Sequence, residues 1–236
     1  MSKIDNFEHS FNEDFQYSHN NPYHHRLEKF SSFVLRDLEP ENLLGKWNNE
    51  CFKNNNPLNV EIGTGYGHFM KQFSQDHPNE NFIGMDYRFK RSFNLAKQLN
   101  ELKIKNFRYI RAKAERIEYL FQESEVDKLY YFFPDPWPKT RHLKKRLFKQ
   151  PFLSKLKKVM KPTGIVYIKT DHDQYYEWML KHLNLNDELF NIEAHSNDIH
   201  KSNSGDFKLL KKYQTKFEKI FLSKGKNING IILTCK

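Results

Sequence analysis

The residues with the clearest chemical potential lie in one short stretch, FFPDPWPKTRH, at residues 132–142. Its three prolines stand at alternate positions, and proline fixes its own φ angle while restricting the residue before it. We therefore predict a rigid, extended loop in which Asp135 and Trp137 project to the same side, as alternate side chains of an extended chain do. A carboxylate next to an aromatic ring can hydrogen-bond a nucleobase and stack on it.

A basic run follows the proline-rich loop directly. Cations beside a base-binding carboxylate suit the phosphates of a nucleic acid, although a charge cluster is commonly a solvated surface. Trp137 alone is more often a packing residue, and His142 a surface or supporting side chain. The position next to Asp135 favours nucleic-acid contact for the members of the run, which are Lys139, Arg141, His142, Lys144, Lys145 and Arg146.

A glycine-rich turn, EIGTGYG at residues 61–67, comes where a predicted strand should meet the helix that follows it. Glycine permits a tight turn and lets a ligand approach the backbone. In an open α/β sheet this turn lies at the carboxyl edge, where ligands bind. The dinucleotide motif needs its third glycine at position 68, which is His68 here, so the sequence does not predict a pyrophosphate site.

Asp86 supplies an acidic group for the same turn. It lies at the end of the second predicted strand, 19 residues after Gly67, where a carboxylate can accept both hydroxyls of an adenosine ribose. S-adenosylmethionine, which has a ribose and no phosphate, fits this combination. Glu61 would then face the cationic amino-acid end of the cofactor or a water molecule bound there. Taken singly, the glycines are as consistent with an ordinary loop, and Asp86 with a solvated carboxylate.

Short apolar runs alternate with helical patterns from residue 57 onward. This alternation predicts an α/β fold with a mostly parallel, twisted sheet and helices on both faces. The helical patterns lie around residues 69–73, 91–102, 148–160 and 175–183. The predicted strands cover residues 58–62, 82–85, 107–110, 126–133 and 165–169, with a closing antiparallel pair at 190–194 and 231–234.

Two polar motifs follow the later strands. Thr170 and Asp171 end the fifth strand, so they would lie at the same sheet edge as the earlier motifs. Asp171 could also be a helix N-cap. Thr215 and Glu218 have the spacing of a capping box, which would explain them as the start of a helix that ends near Gly225.

Length and composition predict one soluble domain with an N-terminal extension. The chain has 236 residues and a formal net charge of +10, which favours a polyanionic partner. No stretch reaches the ~20 apolar residues that a membrane-spanning helix needs. We divide the chain into an N-terminal arm and leading helix, residues 1–56, and a catalytic domain, residues 57–236. Residues 1 to about 30 should be loosely ordered.

Two cysteines, Cys51 and Cys235, lie far apart and without C-x-x-C spacing. Neither a zinc site nor a disulfide framework is therefore expected. The polar N-terminal residues show neither the apolar core of a secretory signal nor the amphipathic pattern of a transit peptide. We expect a cytoplasmic protein without a membrane or a metal.

Together these motifs resemble those of the bacterial tRNA (guanine-N7-)-methyltransferases, from about residue 58 onward. The resemblance rests on the glycine turn, on the PDPW stretch with its following basic residues, on Thr170 with Asp171, and on Thr215-x-Phe217-Glu218. It implies a Rossmann-like class I methyltransferase fold, S-adenosylmethionine as cofactor and tRNA as substrate. The implied product is a guanine methylated at N7 in the variable loop, at position 46.

The resemblance also implies roles for individual residues. Asp135 would be catalytic and would line the cofactor pocket. Where the family carries an Asp near the adenine, this chain has Lys113, so no adenine contact is carried over. The chain would act as a monomer or a homodimer. The implied cofactor-binding residues are Glu61, Gly63, Gly65, Asp86 and Asp135, and the implied tRNA-binding residues are Lys139, Asp171, Thr215, Lys216, Phe217 and Glu218.

The chemistry of the acceptor limits what a carboxylate has to do. Guanine N7 carries a lone pair and no hydrogen, so methyl transfer to it requires no general base. Proximity, in-line orientation and negative charge near a ring that becomes cationic would promote the transfer. Either Asp135 or Asp171 could supply that charge by accepting hydrogen bonds from the guanine edge.

Two other functions fit parts of the sequence. An amino-group methyltransferase of DNA or RNA carries an Asn/Asp-Pro-Pro-aromatic loop at the same place, but here Trp137 follows Pro136 without a second consecutive proline. A basic RNA-binding module with a degenerate cofactor fold would retain the charge and lack the chemistry. A cofactor titration would separate such a module from an enzyme.

Overall fold

One mixed sheet is the centre of the fold in a computed structural model, which describes residues 22–36 and 38–236. The strands within these residues are β1 (Val34–Arg36), β2 (Leu58–Ile62), β3 (Asn81–Met85), β4 (Phe107–Arg111), β5 (Val126–Phe132), β6 (Met160–Thr170), β7 (Phe190–Ser196) and β8 (Asn229–Cys235). They line up in the order β1-β4-β3-β2-β5-β6-β8-β7. All neighbours are parallel except the pairs that β8 forms with β6 and β7.

Helices cover both faces of this sheet. They are α1 (Pro22–Arg26), α2 (His68–Asp76), α3 (Phe89–Leu102), α4 (Ile117–Leu120), α5 (Gln150–Val159), α6 (Asp173–Asn184), α7 (Lys208–Lys212) and α8 (Lys216–Ser223). One hydrophobic cluster contains side chains of α4, α5 and α6, and the other contains side chains of α2, α3 and α7. The predicted α/β arrangement is confirmed.

Consecutive residues of β5 show how both faces are packed at once. Leu129 and Tyr131 belong to the first cluster, Tyr130 and Phe132 belong to the second, and all four are buried. Successive side chains of a strand point to opposite faces, so a strand covered on both sides is a continuous run of large side chains. That run is the pattern from which the sequence predicted this strand.

The strands predicted for residues 58–234 are all present, including the antiparallel pair of β7 and β8. β6 is longer than predicted, because it begins at Met160, directly after α5 ends at Val159. The additional residues include Pro162 and Gly164, which are typical of turns and therefore hid this part of the strand.

The described part of residues 1–56 makes two attachments that the sequence analysis did not anticipate. β1 pairs in parallel with β4 and forms one edge of the sheet. Trp47 is fully buried, and its indole N–H donates to the carbonyl of Leu120 at 2.8 Å. Residues 1–21, with most of the predicted arm, lie outside the described residues, and the domain boundary at residue 57 stays a prediction.

The helices of residues 22–36 and 38–236 are short, and the longest, α3, has 14 residues. None of them combines the length and the apolar character that crossing a bilayer requires. Where a leading helix was predicted, the described residues contain α1, of five residues, and a π-helical turn at Trp47–Phe52.

Trp47→Ala should lower the free energy of unfolding by about 3–5 kcal/mol, because it leaves a cavity in the core and removes the hydrogen-bond donor to Leu120. Urea denaturation followed by circular dichroism measures this loss. Leu185→Ala, at a side chain that is 66% exposed, is the control and should change stability by less than about 0.5 kcal/mol. Equal stability of the two variants would show that the segment around Trp47 does not contribute to the core.

Candidate active site

The sheet reverses its strand order between β2 and β5, since β3, β4 and β1 continue to one side and β6, β8 and β7 to the other. The two parallel strands end together, with Ile62 opposite Tyr131. Ligands of open α/β sheets bind in the crevice outside the carboxyl ends at such a switch point. The glycine turn follows β2 and the proline-rich loop follows β5, so the two flank one crevice.

Backbone hydrogen bonds tie the glycine turn to β3. The amides of Gly63 and Thr64 both donate to the carbonyl of Met85, at 2.8 and 3.1 Å. Gly67 precedes α2 with a φ of +70°, and a Cβ atom there would lie 2.5 Å from a methyl carbon of Leu95, so only glycine fits. A Cβ atom at Gly63 would instead meet nothing within 4 Å. A ligand can therefore approach the backbone of the turn at that point.

Asp86 is buried at the end of β3 and holds the turn in place. One carboxylate oxygen accepts hydrogen bonds from the amide of Gly65 and from Nη1 of Arg91, each at 3.2 Å. The other oxygen accepts one from the amide of Arg88 at 3.0 Å. The carboxylate is thus fixed by its neighbours and is not a solvated group at a strand end.

Glu61 is buried near the end of β2, and its Oε2 atom has no hydrogen-bond partner among the residues that the structure describes. Burial raises the pKa of this carboxyl to about 8, although a hydrogen bond from Thr64 and the charge of Lys169 lower it. Buried polar atoms in proteins are nearly always paired. The unpaired oxygen therefore indicates a place for a cationic ligand group.

A buried ion pair that no sequence motif predicts lies within electrostatic reach of Glu61. Lys169 at the end of β6 and Glu218 in the first turn of α8 are both fully buried, with Nζ 2.5 Å from Oε2. The ammonium also donates to the carbonyls of Leu210 and Tyr213, at 3.1 and 2.8 Å. Burial lowers the pKa of Lys169, against the opposing effect of Glu218.

The start of α8 is held by a capping box, as the spacing of Thr215 and Glu218 predicted. The Thr215 hydroxyl accepts from the amide of Glu218 at 3.1 Å, and the Glu218 carboxylate accepts from the amide of Thr215 at 3.3 Å. The second carboxylate oxygen lies 2.8 Å from Nε2 of His200. Lys216 and Phe217 point to solvent, so only these two of the four residues 215–218 are exposed.

The proline-rich loop departs from its predicted conformation at two residues. Phe133 and Trp137 have φ angles of +50° and +45°, in the left-handed region. The extended conformation predicted for them from the following prolines is therefore wrong. The restriction that a proline places on the preceding residue is a local preference. Phe133 is also held by a contact distant in sequence, the hydrogen bond from its amide to the carbonyl of Lys169 at 2.8 Å.

Asp135 is exposed beyond the end of β5. The charges of Asp135 and Asp86 both act on the guanidinium of Arg88. The pKa of Arg88 is raised by Tyr87 first, and then by Asp86 and Asp135. The ends of β3 and β5 thus bring two carboxylates within electrostatic reach of one arginine at the crevice.

The basic run divides into exposed cations and one buried arginine. Arg146 is 4% exposed, and its Nε donates to the carbonyl of Pro136 at 2.8 Å. Its guanidinium lies 4.9 Å from the ring centroid of Tyr175 and 5.2 Å from that of Trp178. The prediction that Arg146 contacts nucleic acid is therefore wrong, since it fastens the loop to α6 by stacking on aromatic faces. The exposed cations of the run are Lys139, Arg141, Lys144 and Lys145.

Trp137 is half-buried and packs against the basic run that follows it. Nζ of Lys145 lies 4.5 Å from its ring centroid, and the ring of His142 meets it edge-on at 5.7 Å. These two contacts agree with the interpretation of Trp137 as a packing residue and of His142 as a supporting one.

Asp171 lies at the predicted sheet edge but does not cap α6, so the interpretation as a helix N-cap is wrong. The side chain of His172 has that role, because its Nδ1 accepts from the amide of Tyr175 at 3.2 Å. Asp171 instead forms an ion pair of 2.7 Å with Lys226, which follows α8. The carboxylate is therefore already paired with a cation.

The remaining observations concern Lys113, possible metal ligands and the two cysteines. Lys113, at the place of the family's adenine-side Asp, is half-buried just beyond β4. Across residues 22–36 and 38–236, no group of three or more His, Cys, Asp and Glu side chains is arranged to hold a metal ion. Cys51 and Cys235 are both free thiols.

Comparison with solved structures places the fold among methyltransferases. The 16S rRNA methyltransferase KamB aligns with a TM-score of 0.57 at 15% identity, over 77% of this chain and 88% of that one. An antibiotic-related methyltransferase aligns with a TM-score of 0.52 at 15% identity, over 93% and 97% of the two chains. The fold, with a glycine turn and an acidic crevice at the switch point of the sheet, is therefore the Rossmann-like fold of class I methyltransferases.

Comparison of sequences specifies the family. Residues 55–230 match a family model described as "Putative methyltransferase". The tRNA (guanine-N(7)-)-methyltransferases of Latilactobacillus sakei and Clostridium tetani are 33% and 35% identical, over 77% and 79% of this chain and 84% and 86% of theirs. A bifunctional glycosyltransferase/methyltransferase of Fusobacterium nucleatum is 35% identical over 91% of this chain. The matched region covers 32% of the length of that relative. The chain belongs to the bacterial tRNA (guanine-N7)-methyltransferase family.

S-adenosylmethionine is the cofactor of this class, and the crevice fits it. Glu61 offers an unpaired, buried carboxylate oxygen to a cationic amino group. The turn leaves open space at Gly63, and Asp86 presents a fixed carboxylate at the end of β3. These features suit an amino acid joined to a ribose without a phosphate between them.

Glu61→Gln should change how stability depends on pH in the protein without cofactor. Because burial raises the pKa of Glu61 from 4.5 to about 8, the folded protein retains a proton that the unfolded chain loses. The parent should therefore lose stability relative to Glu61→Gln as the pH rises from 4.5 to about 8, and the difference should become constant above that range. Urea denaturation of both proteins across this range measures the difference, and parallel curves would show that Glu61 ionises normally.

Proposed function

We propose that this chain transfers the methyl group of S-adenosylmethionine to N7 of guanine 46 in the variable loop of tRNA, and that it acts in the cytoplasm. Relatives named as tRNA (guanine-N(7)-)-methyltransferases align with most of the chain and support this proposal. The structural observation that carries it is the exposed carboxylate of Asp135 at the crevice that also holds Glu61 and Asp86. A carboxylate beside the cofactor can orient a nucleobase for methyl transfer.

We assign the cofactor to the crevice between the glycine turn and the end of β3. Asp86 accepts the ribose hydroxyls, and Arg91 with the amide of Gly65 keeps its carboxylate in place. Glu61 accepts a hydrogen bond from the cationic amino group through its unpaired oxygen. The backbone of Gly63 and Gly65 lies along the ligand. When bound, S-adenosylmethionine supplies an electrophilic methyl group on a sulfonium.

The acceptor atom decides what the protein has to contribute. Guanine N7 has a lone pair and no hydrogen, so no residue has to remove a proton from it. The chain therefore has to orient the base and to stabilise the positive charge that the ring gains. A carboxylate that accepts hydrogen bonds from the amino and imino groups of guanine does both.

Asp135 is the better placed of the two candidate carboxylates. Asp171 forms an ion pair of 2.7 Å with Lys226, which reduces the negative charge that it can offer to a cationic ring. Asp135 is exposed and follows β5, the strand beside the glycine turn. We assign the guanine edge to Asp135, and we assign Asp171 to contacts elsewhere on the tRNA.

The tRNA would lie across the exposed cations and the start of α8. Burial, and then the charges of Lys71 and Lys216, lower the pKa of His68, so α8 begins beside the start of α2 and the glycine turn. Thr215 and Glu218 act by fixing this helix start. The side chains available to the tRNA are Lys139, Arg141, Lys144, Lys145, Lys216 and Phe217.

Incubation with S-adenosylmethionine and unmodified tRNA should yield 7-methylguanosine, detected by mass spectrometry after digestion to nucleosides. A transcript with adenosine at position 46 is the matched control and should remain unmethylated. Methylated adenosine or cytidine would indicate an amino-group methyltransferase instead. Cofactor binding without methylation of any tRNA would show that the substrate is a different one.

Asp135→Ala should lower the single-turnover rate by about 100-fold or more, because it removes positioning and charge stabilisation. The rate of the parent should nevertheless stay nearly flat from neutral to mildly alkaline pH, since the acceptor has no proton to lose. Asp187→Ala, which removes another exposed carboxylate, is the control and should leave the rate unchanged. A parent rate that rises with the ionisation of one group would assign a base to the reaction and contradict the role given to Asp135.

A further inference from the structure

His200 lies outside every motif that the sequence singled out, on the segment that follows β7. Its Nε2 atom is 2.8 Å from Oε1 of Glu218, and its side chain is 21% exposed. Its backbone amide donates to Oδ1 of Asp198 at 3.1 Å, and Asp198 is itself buried. The imidazole is therefore presented to Glu218 by a segment that is held in place.

Glu218 depends on this contact because it is a charged group with no access to water. Its Oε2 atom is engaged by Lys169 at 2.5 Å and by the amide of Thr215 at 3.3 Å. Its Oε1 atom is hydrogen-bonded to the imidazole of His200 at 2.8 Å. Loss of the imidazole would leave a buried carboxylate oxygen unsatisfied, which is unfavourable and would displace the carboxylate or admit water.

Two contacts connect this carboxylate to the loop that carries Asp135. Lys169 binds Glu218 through its ammonium, and its backbone carbonyl accepts from the amide of Phe133 at 2.8 Å. Farther along α8, the ring of Phe221 lies 5.7 Å from that of Phe133. Phe133 stands two residues before Asp135, so both contacts act on the loop at its origin.

We propose that His200 is a positioning residue for the methyl transfer. By hydrogen bonding to Glu218 it fixes the start of α8 and, through Lys169 and Phe221, the loop that places Asp135 against the guanine. This inference rests on the proposed function and deepens it. His200 contacts neither cofactor nor base in this arrangement and acts only through Glu218.

His200→Ala should lower kcat about 10-fold, the effect of losing one hydrogen bond to a charged group. The KM for tRNA and the Kd for S-adenosylmethionine should each change less than about 3-fold, because the charges that meet phosphate and the cofactor crevice are untouched. His200→Gln, whose amide can donate to the same oxygen, should restore kcat to within about 3-fold of the parent. This rescue separates positioning from a general loss of packing.

The matched control is His195→Ala. His195 is also hydrogen-bonded, with Nδ1 2.8 Å from the hydroxyl of Tyr176, but it is exposed on β7 and its partner lies on α6. Hydrogen–deuterium exchange should become faster at residues 133–137 and 215–223 in His200→Ala, and it should match the parent in His200→Gln and His195→Ala. If His200→Ala does not fold, His200→Asn, with a shorter side chain, replaces it as the deficient variant.

A parent-like kcat in a folded His200→Ala, or equal losses of kcat in His200→Ala and His200→Gln, would overturn the proposal. An inactive parent would overturn the proposed function, a result distinct from failure of the His200 variants alone. If the parent is inactive, hydrogen–deuterium exchange still decides whether His200 positions residues 133–137 and 215–223. Unchanged exchange of these residues in His200→Ala would refute the positioning role of His200.

Discussion

The buried ion pair between Lys169 and Glu218 is the interaction on which the geometry of the crevice depends. Two charges removed from water are stable only when they are well placed and their remaining hydrogen-bonding groups are satisfied. Here the ammonium has three acceptors, two of which are backbone carbonyls at Leu210 and Tyr213. The pair therefore fastens the end of β6, the segment leading into α8 and α8 itself to one another. Any other arrangement of these segments would leave an unpaired charge in the core.

One member of this pair, Lys169, also acts on the buried carboxyl of Glu61 at the crevice. Burial raises the pKa of Glu61 to about 8, Lys169 lowers it, and Asp86 raises it. Glu61 is thus poised between its two protonation states near neutral pH. A cationic group beside a carboxyl favours the ionised form. The proposed contact of Glu61 with the cationic amino group of the cofactor and the ionisation of Glu61 would therefore promote each other.

The sheet and the caps could be predicted because their causes are local. Residues 129–132 of β5 are a run of large, buried side chains, and the glycine at Gly67 and the capping box at Thr215 follow from turn and helix-end chemistry. The environments of Arg146 and Lys169 were missed because their partners are distant in sequence. Arg146 is indistinguishable from the rest of the basic run until the rings of α6 are placed beside it. Lys169 and its partner are 49 residues apart, and no period or motif connects them.

The capping box also explains why a motif can identify a substrate-binding segment without identifying the side chains that bind. Its first and fourth residues, Thr215 and Glu218, must turn back to bond the backbone of the helix start. The two residues between them, Lys216 and Phe217, are then directed outward, as their exposure shows. Two supporting residues therefore enclose two outward residues within four positions. In the proposed contact with tRNA, a substitution at either kind of position would weaken binding, but only the outward pair would do so by direct contact.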